Sequence, residues 1–140
     1  MNTHTLTSIT LDAADRLVNA ALRCAEAAGV SICVAVVDRS GHLLAFKRHP
    51  LAPLHSIEIA QDKAWTALSF KRPTGSWQAI LESRSEMLRH GLMQRPRFVG
   101  FGGGLPIEAA GELIGAIGIS GGSEAQDVAF AEAALAEIGG

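Results

Sequence analysis

The chain has no tyrosine, and aromatic residues make up only 5% of its 140 positions. That excludes a tyrosinate metal ligand and a tyrosine proton donor. Cysteine is scarce as well. Cys24 and Cys33 form no CxxC pair and match no zinc-ligand spacing, so both read as reduced thiols acting as small apolar side chains. No apolar run approaches the roughly 18 residues needed for a membrane-spanning helix. The first residues, Met1 to Thr5, lack a basic stretch leading into an apolar core, so no signal peptide is expected and the cytoplasm is the expected compartment. Neither sign of charge dominates: 12 basic and 14 acidic residues leave a net charge of −2. Such a balance gives no electrostatic footprint for nucleic acid or for an anionic membrane. The chain also contains no HExxH, HxH or P-loop pattern, which removes the commonest metalloprotease and nucleotide-binding signatures.

What remains is an apolar, glycine-rich chain, 48% hydrophobic with 15 glycines. Its length predicts one domain over residues 1–140, large enough to bury roughly 70% of its unfolded surface without staples. Leu11, Ala14, Leu17, Val18, Ala21, Leu22 and Ala25 recur at helical spacing, predicting a helix from Leu11 to Ala28. Thr10 is its expected N-cap and Gly29 its terminator. Ser31 to Val37 is apolar and β-branched, as in a strand covered on both faces. Asp38 to Gly41 signals a turn, and His42 to Arg48 the returning strand. Leu54 to Phe70 reads as a second helix, Thr74 to His90 as a third. Pro106 to Ala110 and Leu113 to Ser120 read as a second hairpin, whose Gly115 and Gly118 are expected to leave one face bare for a helix or a flat ligand. Ser123 and Gln126 form a capping-box pattern before a last helix carrying Val128, Ala131, Leu135 and Ile138 on one face. Helices alternating with hairpins predict an α/β (α+β) fold, mainly an antiparallel sheet with helices packed on it.

Candidate functional residues cluster on the second helix and in the turns around it. Ile57, Ala60, Ala64 and Ala67 make a purely apolar stripe that must be core. The neighbouring stripe, Ser56, Ile59, Lys63, Thr66 and Phe70, is mixed. It reads either as a ligand-facing surface or as a helix edge that snorkels Lys63 to solvent. Of the five histidines, His49 and His55 flank a proline-rich turn at the mouth of this helix. His55 first and His49 second are the candidates for an imidazole that binds a ligand or a metal; the bland alternative is two solvated loop residues. With Glu58 they would make an open metal triad only if the fold brings the three together. Gly102, Gly103 and Gly104 read as a tight turn, or as an anion-binding nest of backbone N–H groups.

Four stretches resemble, in order and spacing, the GlcG/HbpS-like (DUF336) family, which includes the C-terminal domain of PduO-type proteins. They are AVVDRSGHLLAFKR (Ala35 to Arg48), SIEIAQDKAWTALSFKRPT (Ser56 to Thr74), GGGLPI (Gly102 to Ile107) and IGAIGISGGSEAQD (Ile114 to Asp127). The resemblance implies a profilin-like sandwich, homo-oligomers from dimers to tetramers or octamers, and haem as a ligand of some members. It also implies a pocket near Arg48, Lys63, Thr66, Phe70, Thr74, Gly103 and Gly104, in which Lys63 or an arginine would take carboxylates. The chain departs from the family at Arg48 to Pro53, where two prolines and two nearby histidines replace a small turn. It also departs at Ser83 to Arg97, which carries Arg84, Arg89, Arg95 and Arg97. The expected function is binding of a flat or carboxylate-bearing small molecule such as haem. Two alternatives stand beside it. One is a catabolic enzyme (lyase, hydratase, hydrolase or tautomerase) acting on small unsaturated organic acids through Lys63 and a histidine. The other is a structural oligomer subunit.

Overall fold

In the computed structural model, which describes residues 2–139, four strands form one antiparallel sheet in the order β2-β1-β4-β3. The strands are β1 (Cys33–Asp38), β2 (Leu43–Arg48), β3 (Gly104–Ala109) and β4 (Glu112–Ser120). Five helices accompany them: α1 (Leu11–Ala27), α2 (Ser56–Phe70), α3 (Trp77–Glu82), α4 (Glu86–Met93) and α5 (Glu124–Ile138). The α+β class expected from the sequence is the class observed.

The local signals explain most boundaries. Thr10 accepts a hydrogen bond from Ala13 N (3.1 Å) and starts α1. Gly29, at φ 71°, turns the chain away from it. The Asp38 carboxylate accepts from Ser40 N (2.9 Å) and His42 N (3.0 Å), closing the first hairpin. The capping box of Ser123 and Gln126 is present at the start of α5.

Helices cover both faces of the sheet. Leu17 and Val18 of α1, Ala131 and Ala134 of α5, and Val34, Val36, Ile117 and Ile119 of the central strands form a dry apolar core on one face. On the other face Ala60, Ala64 and Ala67 of α2 pack against Cys33, Ala35, Val37 and Ala116. The predicted alanine stripe of α2 is thus core, with all three alanines fully buried.

Three expectations need correction. The helix predicted from Thr74 to His90 is a 3-10 turn at Thr74–Ser76 followed by two short helices, α3 and α4. Serines divide them: Ser83 Oγ donates back to Ile80 O (2.8 Å), and Ser85 caps α4 by accepting from Leu88 N (3.2 Å). Such local bonds compete with the helical ladder. Second, Gly115 and Gly118 do not bare a common face. The two glycines lie three positions apart in a regularly paired stretch of β4, so the period-two alternation of a strand puts them on opposite sides. A Cβ on Gly118 would strike Ala60 O of α2, whereas one on Gly115 would approach Ile9 on the other side. What packs against Gly118 is a helix. Third, Lys63 does not snorkel: it is 1% exposed.

Candidate functional site

Lys63 projects from the middle of α2 into a closed space between β4 and α5. Its Nζ donates to Ile119 O (2.7 Å) and to the Asp127 carboxylate (3.2 Å). Asp127 is 3% exposed and also accepts from Gly122 N (2.9 Å). Burial pushes the Lys63 ammonium down from its ordinary value and the Asp127 carboxyl up, and in each case the partner's opposite charge works against that displacement. The hydrogen bonds leave this pair satisfied, so its geometry is that of a buried tie between α2 and α5.

The glycine segment lies directly on this tie. Gly103, at φ 128°, packs so closely that a Cβ there would meet Lys63 Nζ and Ile119 O. Only glycine suits both the backbone conformation and the space. Two of the segment's backbone donors are engaged: Gly102 N donates to Glu124, and Gly104 N to Thr74 Oγ1 (2.9 Å). Thr74 is fully buried. The ring of Phe101 sits 5.1 Å from Lys63 Nζ.

Thr66 is also buried and also spoken for. Its hydroxyl donates to Arg97 O (2.9 Å) and accepts from Val99 N (3.2 Å). Arg97 has φ 70°, a left-handed conformation that costs a non-glycine residue energy and needs support. Its guanidinium stacks 4.2 Å over Trp65 and pairs with Asp62 at 2.9 Å. Three residues of α2 thus hold residues 97–99 and deliver Phe98 into a cluster of rings. Phe70, Trp77 and Phe98 meet edge to face, with centroids 4.8 to 6.2 Å apart.

This cluster divides two grooves under α4. One, about 500 Å³, is walled by Leu81, Met93, Phe98 and Phe101, with Arg89 and Glu82 also lining it. The other, about 370 Å³, lies between Phe70, Trp65 and Phe98, with Arg95, Arg97 and Leu92 lining it. Both fall in the size range of small-molecule sites. α4 buries none of its residues, and Met87, Leu88 and Met93 are exposed. The indole Nε1 of Trp77 is buried without a hydrogen-bond partner, in a residue 6% exposed. A buried donor left unpaired is costly.

The residues singled out in the sequence therefore separate into three groups. Thr66 and Phe70 line the smaller groove. Lys63, Thr74, Gly103 and Gly104 lie together in the buried contact of α2 with β4 and the glycine segment. Arg48, His49 and His55 lie at the far end of α2, about 22 Å from Phe70 by the helix rise. Arg48 donates to Ala52 O (2.9 Å), and His49 Nδ1 accepts from Leu51 N (3.0 Å). His55 is exposed and makes no side-chain cap to α2. Lys63 and His55 do not meet in a common pocket. No group of three or more metal-ligating side chains occurs among the described residues, so His49, His55 and Glu58 do not assemble as a triad. Among the same residues, no helix is long and apolar enough to cross a membrane. Sequence reasoning missed Asp127, Phe98 and Met93. The arginine-rich run from Ser83 to Arg97, noted as unusual, was the signal that led to this region.

Known proteins can now be set beside this geometry. Residues 9–136 match the family described as haem degrading protein HbpS-like. A 15.0 kDa protein of Citrobacter freundii, from the dhaT-dhaS intergenic region, is 35% identical over 93% of this chain and 92% of its own length. The crystal structure of Klebsiella pneumoniae protein ORFY superimposes with a TM-score of 0.88 at 34% identity, over 99% of this chain and 95% of the other. A crystal structure of a PduOC–haem complex superimposes with a TM-score of 0.85 at 34% identity, over 93% and 94%.

Proposed function

The chain belongs to the HbpS-like family of haem-degrading proteins, and from that premise we propose that it binds a flat, carboxylate-bearing small molecule such as haem in the grooves beneath α4. The observation that carries the proposal is the pair of grooves beside the Phe70–Trp77–Phe98 cluster, which set aromatic walls next to Arg89 and Arg95. The residues present fit the group. Phe98, Phe101 and Leu81 offer apolar walls for a macrocycle, and Arg89 and Arg95 offer guanidinium groups for carboxylates. No histidine lines either groove, whereas Met93 does, and a thioether is a competent ligand for haem iron. Haem in the PduOC complex supports the ligand class. Bound haem would bring redox chemistry; the chain's own residues would hold it, orient it and exclude water. A homo-oligomer in the cytoplasm completes the proposal.

His49 and His55 remain the rival donors, at the opposite end of α2. Titration of the purified protein with haemin, followed at the Soret band, decides between them. A saturable shift is expected. It should change in Met93→Ala, weaken in Arg89→Ala and persist in the His49→Ala/His55→Ala double variant. No saturable shift in the wild type overturns the haem reading. A shift lost only in the histidine double variant moves the site to the other end of α2. The enzymatic alternative requires a substrate to reach Lys63, which is sealed behind Phe101 and Gly103.

A further inference from the structure

The smaller of the two grooves has a chemistry of its own. Trp65, Ser69, Phe70, Leu92, Arg95 and Phe98 line it, which sets three aromatic rings around one slot of about 370 Å³. The rings are held before any ligand arrives. Trp65 lies against the guanidinium of Arg97, and the hairpin turn at Gly41 packs on the same indole. Phe98 is set by the hydrogen bonds of Thr66 to its two neighbours, Arg97 and Val99. Phe70 meets Phe98 edge to face, yet is 41% exposed. A pre-formed slot loses little order when a ligand enters, and an empty one leaves ring surface in water.

Two guanidinium groups border the slot, and they differ. Arg97 is already engaged: it pairs with Asp62 at 2.9 Å and stacks on Trp65. Arg95 is exposed and enters no ion pair among the described residues. An unpaired guanidinium beside apolar rings suits an anion carried on an apolar body, and its planar fork matches a carboxylate. The wider charge has the same sign. The segment from Lys71 to Arg97 carries six basic and two acidic residues, a positive stretch on a chain of net charge −2.

We propose that this groove is a separate binding site for a single-ring aromatic carboxylate, with its ring among Trp65, Phe70 and Phe98 and its carboxylate on Arg95. Size supports a small occupant. About 370 Å³ lies near the lower end of the range for small-molecule sites, and the larger groove measures about 500 Å³. The walls support an aromatic one. A flat ring can meet three fixed rings edge to face or in an offset stack, which a puckered aliphatic ring cannot do. This assignment rests on the haem reading for the larger groove, where Met93 and Arg89 are left to the macrocycle. It refines that reading by giving the two grooves that share Phe98 different ligands.

The test is a titration with phenylacetate, read by the emission of the two tryptophans. Trp65 lines the slot, and Trp77 meets Phe70 and Phe98. A saturable change is expected with a Kd of about 0.1–1 mM, ordinary for a ligand of about ten heavy atoms. Phenylacetamide keeps the ring without the charge, and cyclohexylacetate keeps the charge without the aromatic ring. Each should bind about tenfold more weakly. Arg95→Ala should weaken phenylacetate about tenfold and leave phenylacetamide unchanged. Arg95 is exposed, so the fold is retained; far-ultraviolet circular dichroism checks this. Haemin should still bind at saturating phenylacetate. No saturable change in the wild type overturns the proposal. So does equal binding of either analogue, or undiminished binding of phenylacetate by Arg95→Ala. Competition between phenylacetate and haemin would make the two grooves one site and overturns it as well. If haemin itself does not bind, the haem reading fails, while the titrations without haemin still decide this one.

Discussion

The two faces of the sheet are built by opposite means. Under α1 and α5 the core is apolar throughout, from Leu17 and Val18 to Ile117 and Ile119. Under α2 the helix contributes small alanines to the sheet and, beside them, Ser56, Lys63 and Thr66, all buried. One face gains its stability from area removed from water. The other removes charge and hydroxyl groups from water, which is costly unless each is paired. In return it fixes chain segments in definite places. Lys63 holds β4 and α5, Thr66 holds residues 97–99, and Thr74 holds Gly104. The polar face is therefore the face that positions the grooves.

The largest effect should come from breaking a pair on that face. Asp127→Ala leaves the Lys63 ammonium buried without its carboxylate and should cost about 3–5 kcal/mol. On the apolar face, Leu17→Ala should cost about 2–5 kcal/mol through lost burial and a cavity. Chemical denaturation measures both. The comparison sharpens when the pair is removed together. Lys63→Met with Asp127→Leu should be neutral or stabilising by up to about 4 kcal/mol, because the desolvation of two charges is relieved at once. If the double variant is as unstable as Asp127→Ala, the pair contributes more than its geometric role, and the contrast between the faces fails.

The apolar face was legible in the sequence because its signal is local. The spacing of Leu11 to Ala25, the cap at Thr10 and the β-branched run of β1 each specify their own element. The α2 face was half legible. Its alanine stripe follows from helical period alone, but the adjacent stripe of Ser56, Lys63, Thr66 and Phe70 does not reveal its partners. Asp127 lies in the last helix and Arg97 in an irregular segment, and no periodicity links either to α2. A polar residue beside a core stripe has the same sequence signature whether it faces a ligand or a buried carboxylate. The break between α3 and α4 was hidden for a related reason: Ser83 and Ser85 stop a helix through side-chain bonds that a helical apolar pattern does not register.

A smaller effect tests the hydroxyl ties. Thr66→Val keeps the shape but removes the acceptor for Val99 N and the donor to Arg97 O. It should cost about 1–3 kcal/mol, the penalty of stranding buried backbone groups. Because the tie orients Phe98, the same variant should also weaken haemin binding. Normal stability with lost binding, or the reverse, would separate the tie from the groove.

The smallest effect belongs to α4, which lies over the α2-face grooves yet buries none of its own side chains. Met87 is 84% exposed and lines neither groove. An exposed side chain without partners changes stability by no more than about 0.5 kcal/mol when replaced, so Met87→Lys should leave the unfolding midpoint where it was. A loss above about 1 kcal/mol that is independent of chain concentration would mean that α4 packs down on the ring cluster, and the grooves would then be closed. A loss that grows on dilution would mean that a second copy covers Met87. An unchanged midpoint leaves α4 as a helix held at its ends, by Ser85 and the turn before Arg95, and free to shift over the grooves as a ligand enters.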